Sequence, residues 1–246
     1  MKSLSLASIA VAVAALSAVA MPSITLAADS SVAFNAGVVT DYRYRGISQS
    51  RLKPALQGGL DFTAGAFYLG AWGSTIKWIK DGGGGASTEF DIYGGFKGEI
   101  AKGVAYDIGL LTYQYPSNGL NPSANTTEVY AAVTTGPVTA KYSHSTTNLF
   151  GFANSKGSSY VDLTATFDMG DGYSLTPHIG YQSVKGAGNG IYSYTDTALT
   201  LGKDLGNGLA ASAAIIGTNA KKGSYISPAG KQLGKSGLVV GLKYSF

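Results

Sequence analysis

The chain contains no cysteine among its 246 residues, so neither disulfides nor thiolate metal centres contribute to it. Charged residues are also scarce, at 13% of the chain, about half the share in an ordinary soluble domain. Histidine occurs only at His144 and His178, and two isolated histidines give no metal-ligand spacing. After the first residues, no stretch approaches the run of about 18 apolar residues that a membrane helix needs. Neither G-x-S-x-G nor H-E-x-x-H is present, which leaves serine and zinc hydrolases without a motif. The glycine run DGGGG at 81–85 is not followed by Lys-Ser/Thr, so it offers no phosphate cradle.

What is present begins with an export signal. The first residues combine Lys2, an apolar run from Leu4 to Ala20, a break at Pro22 and small residues at Ala27 and Ala28, the pattern of a signal peptide of residues 1–27 that is cleaved off. The remainder, 28–246, shows no linker and reads as one domain rich in glycine (35) and tyrosine (16). An exported, charge-poor, aromatic chain without membrane helices suggests a transmembrane β-barrel.

Alternation supports that class. In STEFDIYGGFKG, Phe90, Ile92 and Phe96 take one face and Glu89, Asp91 and Tyr93 the other. Strands of this kind are expected near 32–44, 54–64, 66–79, 87–98, 103–115, 126–135, 137–148, 158–169, 172–184, 193–203, 208–218 and 237–246. Short links alternate with long ones, as in a twelve-stranded antiparallel barrel with both termini on the periplasmic side. Pro177 sits inside the ninth segment, where a closed barrel has no free edge for it, and a bulge is expected there.

Three motifs point to a family. TDYRYRGISQ from Thr40, PALQGGLD from Pro54 and EFDIYGG from Glu89 resemble the [ST]DYxxRGxSQ, PAxQGGxD and ExDxYGG segments of the TorF-type porin family, conserved proteobacterial outer-membrane proteins whose own function is inferred. The match covers about residues 34–99. The ending GLVVGLKYSF resembles the last strand of outer-membrane barrels, in which an alternating run to a terminal aromatic is presented to the barrel-assembly machinery. The resemblance implies location and fold more than activity.

The barrel reading assigns each inward residue a height. Asp41, Glu89, Asp91, Glu128, Asp162 and Asp196 fall in the outer half of the lumen, opposed there mainly by Arg43. Asp61 and Asp107 fall in the inner half, balanced by Lys141 and Lys243, and His178 lines the lumen beside Thr176 and Gln182. Tyr42 and Tyr44 are expected on the lipid face, in the outer aromatic girdle. A pore lined this way would pass small hydrophilic solutes and ions passively and prefer cations, unless basic loops folded inward and neutralised it.

The outer loops carry Arg45, Arg51, Lys53, Lys80, Lys156, Lys185, Lys221, Lys222, Lys231 and Lys235. Lipopolysaccharide phosphates are natural partners for them, and so is plain water. Export and the scattering of the basic residues over separate loops argue against nucleic acid. A structural or adhesive barrel without an open pore is the main alternative. A hydrolase using His178 is the other, and it would need partners from other strands. No cofactor, metal or catalytic residue is assigned.

Overall fold

The structure, a computed structural model, describes residues 24–27 and 30–246. Twelve antiparallel strands form a closed barrel. They are β1 (Ser30–Val39), β2 (Ala55–Ala64), β3 (Phe67–Thr75), β4 (Thr88–Ala101), β5 (Val104–Gln114) and β6 (Thr126–Thr135), followed by β7 (Val138–Ser145), β8 (Ser159–Ala165, continued by Phe167–Gly170), β9 (Tyr173–Ser183), β10 (Tyr194–Gly206), β11 (Leu209–Thr218) and β12 (Gly237–Ser245). Each strand pairs with the next, and β12 returns to β1 from Gly241 opposite Val39 to Ser245 opposite Asn35. Phe34 and Phe246 finish the seam with two main-chain hydrogen bonds of 2.9 and 3.0 Å and stacked rings 5.8 Å apart. A closed ladder satisfies every strand edge, which is what lipid demands of β-structure. The expected signal segment lies outside the described residues except for the short strand Ile24–Ala27, which pairs with Ser30–Val32 of β1.

The alternation in the sequence becomes the two faces of the wall. Phe90, Ile92 and Phe96 on β4 are about half exposed on the outside, whereas Glu89 and Asp91 are buried within. Leu238, Val240, Leu242, Tyr244 and Phe246 likewise face outward. Short turns gather at one end of the barrel and long loops at the other. In the Asp171-Gly172 and Asn207-Gly208 turns both central residues have positive φ (50° and 74°, 52° and 81°). That is the twist a two-residue hairpin turn requires, and it is why these pairs stand there.

Inside, tyrosines lie across glycines of neighbouring strands. A Cβ on Gly70 would overlap the Tyr93 ring, and one on Gly180 would overlap the Tyr160 hydroxyl. The bare backbone lets each ring fold flat against the wall, so glycine and tyrosine are needed together.

Three local expectations are corrected. Pro177 produces no bulge: the β8–β9 register is the same on either side of it, with Thr164 opposite His178 and Phe167 opposite Leu175. The ladder is interrupted at Ala165 and Thr166 instead, because proline has no N–H to donate. β3 stops at Thr75, before the one-turn helix Trp78–Asp81. β1 ends at Val39 and not at Tyr44, because the next residues fold inward as a small hairpin in which Arg43 pairs with Ser48 and Tyr44 with Ile47. Asp41 holds its base, accepting hydrogen bonds from Ser48 Oγ, Ser50 Oγ (3.1 Å) and Arg43 Nε (2.8 Å).

Candidate functional site

The inward hairpin decides the shape of the lumen. Its tip is Arg45-Gly46, with φ of 47° and 77°. Arg45 therefore reaches the wall of the barrel instead of the outer loop surface. Its guanidinium donates to both carboxylate oxygens of Glu128 and, at 2.6 Å, to Gln182 Oε1. It lies between two rings, 4.8 Å from the centroid of Tyr44 and 4.2 Å from that of Tyr160. Tyr42 and Tyr44, expected in the lipid girdle, point inward too. Tyr42 donates to Glu89 Oε1 at 2.6 Å, and the Tyr44 and Tyr113 hydroxyls meet at 2.5 Å. Burial, reinforced by the nearby Glu89 carboxylate, pushes the Tyr42 phenol well above its usual range, so it stays a donor. Packing explains the reversal: Tyr42 meets Trp72 edge-on at 5.4 Å, and Tyr44 meets Tyr113 and Phe150 in the same way.

The expected lumen residues fall into three groups. Near the loop end, Glu89, Asp91 and Glu128 form a buried carboxylate cluster, each 3% exposed or less. Glu128 has Arg45 and Glu89 has Tyr42, while Asp91 Oδ1 is buried without a hydrogen-bond partner. Beside them, His178 Nε2 lies 2.7 Å from Asp162 and 3.2 Å from the Tyr160 hydroxyl, and Nδ1 lies 3.5 Å from Asp196. Tyr160 also donates to Asp196 at 3.0 Å. Toward the turn end, Tyr93 donates to Asp61 at 2.5 Å and Tyr68 to Asp107 at 2.6 Å, while Tyr68 and Tyr130 share a hydrogen bond. Lys141 Nζ sits 3.8 Å from the centroid of Tyr130. Lys243 occupies an inward position between the outward-facing Leu242 and Tyr244.

Asp41 and Arg43 stand apart from this set. They form an ion pair in the loop beyond β1, and Arg43 also donates to the carbonyl of Lys235 at 2.7 Å. Two inward cations escaped the sequence reading. Arg45 stands in a segment that reads as an outer loop, and Lys97, 5.5 Å from the centroid of Tyr68, lies at the end of an expected strand. Alternation with Phe96 was the available signal for Lys97. Among the described residues no group of three or more His, Asp and Glu side chains is placed to hold a metal ion.

Between the hairpin and the long loops lies a half-open cavity of about 260 Å³. Tyr44, Trp78, Tyr115, Phe150, Tyr194 and Tyr225 line it, together with aliphatic residues such as Ile47, Leu149 and Leu233. The loops meet because their aromatic rings pack edge to face, with Trp78 at 84° to Tyr115 and Tyr194 at 78° to Tyr225.

A closed barrel of this size, with an apolar belt outside and a polar interior, is a porin-like transmembrane barrel. It shares its fold with the KdgM porin (TM-score 0.56, 8% identity, covering 88% of this chain and 99% of that one) and the NanC porin (TM-score 0.55, 10% identity, covering 87% and 98%). The chain belongs to Gcw_chp, a family of bacterial proteins of unknown function, whose model matches residues 25–246. No curated protein matches its sequence.

Proposed function

We propose that the protein is an outer-membrane channel for small hydrophilic solutes, selective for cations, with its short turns and both termini on the periplasmic side. One observation carries the selectivity. The carboxylates facing inward from the strands (Asp61, Glu89, Asp91, Asp107, Glu128, Asp162 and Asp196) outnumber the basic groups there, Arg45, Lys97, Lys141, Lys243 and His178. Excess charge of one sign inside a low-dielectric wall concentrates counterions and repels co-ions. The TorF-type porin name suggested by the motifs fits this reading. In it, residues 1–27 are removed on export, the terminal strand is read by the barrel-assembly machinery, and exposed loop lysines such as Lys53, Lys156, Lys185 and Lys222 meet lipopolysaccharide phosphates.

The inward hairpin supports a second reading, a structural or adhesive barrel that is closed at rest. Planar-bilayer recordings in a KCl gradient separate the two. The channel reading expects cation-selective reversal potentials that move toward zero when Asp91 and Asp162 become Asn, with the preference weakening at high salt as the field is screened. Anion preference, or reversal potentials indifferent to both substitutions, would refute it. A silent wild-type barrel that conducts once Arg45 is changed to Ala would favour the closed barrel.

A further inference from the structure

We propose that the cavity among the long loops binds small organic cations, ammonium compounds whose charge is spread over alkyl groups. The inference rests on the cation-selective reading above and names a solute class for it. At about 260 Å³ the cavity has room for a compact ligand, since liquid water takes about 30 Å³ per molecule.

The lining decides the class. No lysine or arginine lines the cavity, so an anion would find no countercharge. Its one charged residue, Asp81, is held by Arg51 through both carboxylate oxygens. Several of the other polar side chains are engaged within the protein. Ser48 donates to Asp41 and Ser224 to the carbonyl of Ile191, Gln182 is held by Arg45 and by the carbonyl of Ser159, and Tyr225 donates to the carbonyl of Tyr192. The indole N–H of Trp78 has no partner but is shut off from solvent. A sugar-like solute, which needs several directional partners, is therefore poorly served.

Aromatic rings line the cavity and pack nearly at right angles to one another, with Trp78 at 89° to Phe150. Aromatic faces attract cations through their quadrupole, most strongly where water is excluded. Tyr44 hydrogen-bonds to Tyr113, whose hydroxyl reaches Glu128, and the Arg45 guanidinium, 4.8 Å from the centroid of the Tyr44 ring, is the countercharge of that carboxylate. Glu89 is met by a neutral phenol, and Asp91 Oδ1 by nothing. An aromatic lining without a basic side chain favours a soft cation over an anion, and a ligand with alkyl groups over a neutral polyol.

Only two tryptophans are present, so Trp72→Phe leaves Trp78 as the sole fluorescent indole, within the cavity. The purified barrel in detergent is titrated with choline, with its uncharged isostere 3,3-dimethylbutan-1-ol, and with glucose. Choline is expected to give a saturable change, the isostere to bind roughly tenfold more weakly, and glucose to give none. Phe150→Leu, which removes a ring and keeps an apolar side chain, should weaken choline by a similar factor and leave the isostere unchanged. Calorimetry on the unsubstituted chain repeats the comparison without altering the site. Equal binding of the isostere, saturable glucose binding, or no saturable response to choline overturns the proposal. Reversal potentials from the same preparation test the channel reading separately, so a cation-selective barrel that ignores choline defeats this inference and spares that reading.

Discussion

Arg45 and Glu128, 83 residues apart in sequence, form a bidentate ion pair inside the barrel, with Nη1 3.1 Å from Oε1 and Nη2 2.7 Å from Oε2. Their side chains are only 6% and 1% exposed. Removing one partner strands the other as a buried charge. Arg45→Ala and Glu128→Ala are each expected to cost about 3–5 kcal/mol in urea unfolding of the refolded barrel, and the double variant less than their sum. The pair also pins the hairpin across the lumen, so each single variant should raise single-channel conductance. Unchanged conductance in both would show that the hairpin is not the constriction.

The tyrosine-over-glycine packing makes a sharper prediction. Gly180→Ala places a Cβ against the Tyr160 hydroxyl and pushes it away from Asp196. Overpacking of this kind costs about 1–3 kcal/mol. Gly190, which has nothing within 4 Å of a built Cβ, is the control, and Gly190→Ala should be nearly neutral in the same unfolding assay.

The two faces of the wall can be told apart on one strand. Leu163 is 47% exposed on the outside of β8, and its neighbour Thr164 points inward, donating to Asp162. Leu163→Lys is expected to cost about 2–4 kcal/mol in lipid vesicles if it lies near the midplane. Thr164→Lys, beside an acidic side chain, should cost much less. Equal costs would contradict the assignment of inside and outside.

Deleting Phe246 removes both main-chain bonds to Phe34 and the ring stack at the seam. Reduced barrel in the outer membrane, read as a lower yield of the folded, heat-modifiable band, is the expected outcome. A normal yield would mean that neither the seam nor recognition by the assembly machinery depends on this residue.

Most of the wall was legible because its signals are local. Period-two alternation marks the strands, and Asp-Gly and Asn-Gly mark the tight turns. Pro177 was visible as a difficulty, but not its remedy, since the accommodation lies in the neighbouring strand. The lumen was legible only where it is built from strands. Tyr-Arg-Tyr-Arg continues the alternation of β1, so the chain reads as strand up to the point where Arg45-Gly46 reverses it. Arginine is an unusual residue at positive φ, and the partners that anchor Asp41, Ser48 and Ser50, are simply more loop in the sequence. The aromatic cavity had no local signal at all, because its rings come from loops brought together only by closure of the barrel.

That closure has a kinetic consequence. Every ladder but one joins strands adjacent in sequence, whereas the seam joins Thr40 to Val240, 200 positions apart. Hairpins can zip in turn at small entropic cost, because each closes a short loop. The final pairing must instead bring the two ends of the sheet together. Just before it, the chain is an open sheet with β1 and β12 as bare edges and an apolar face along its whole length, the species most prone to pair with another copy. Shielding of those two edges then bears on the yield of closed barrel more than the formation of any individual hairpin does.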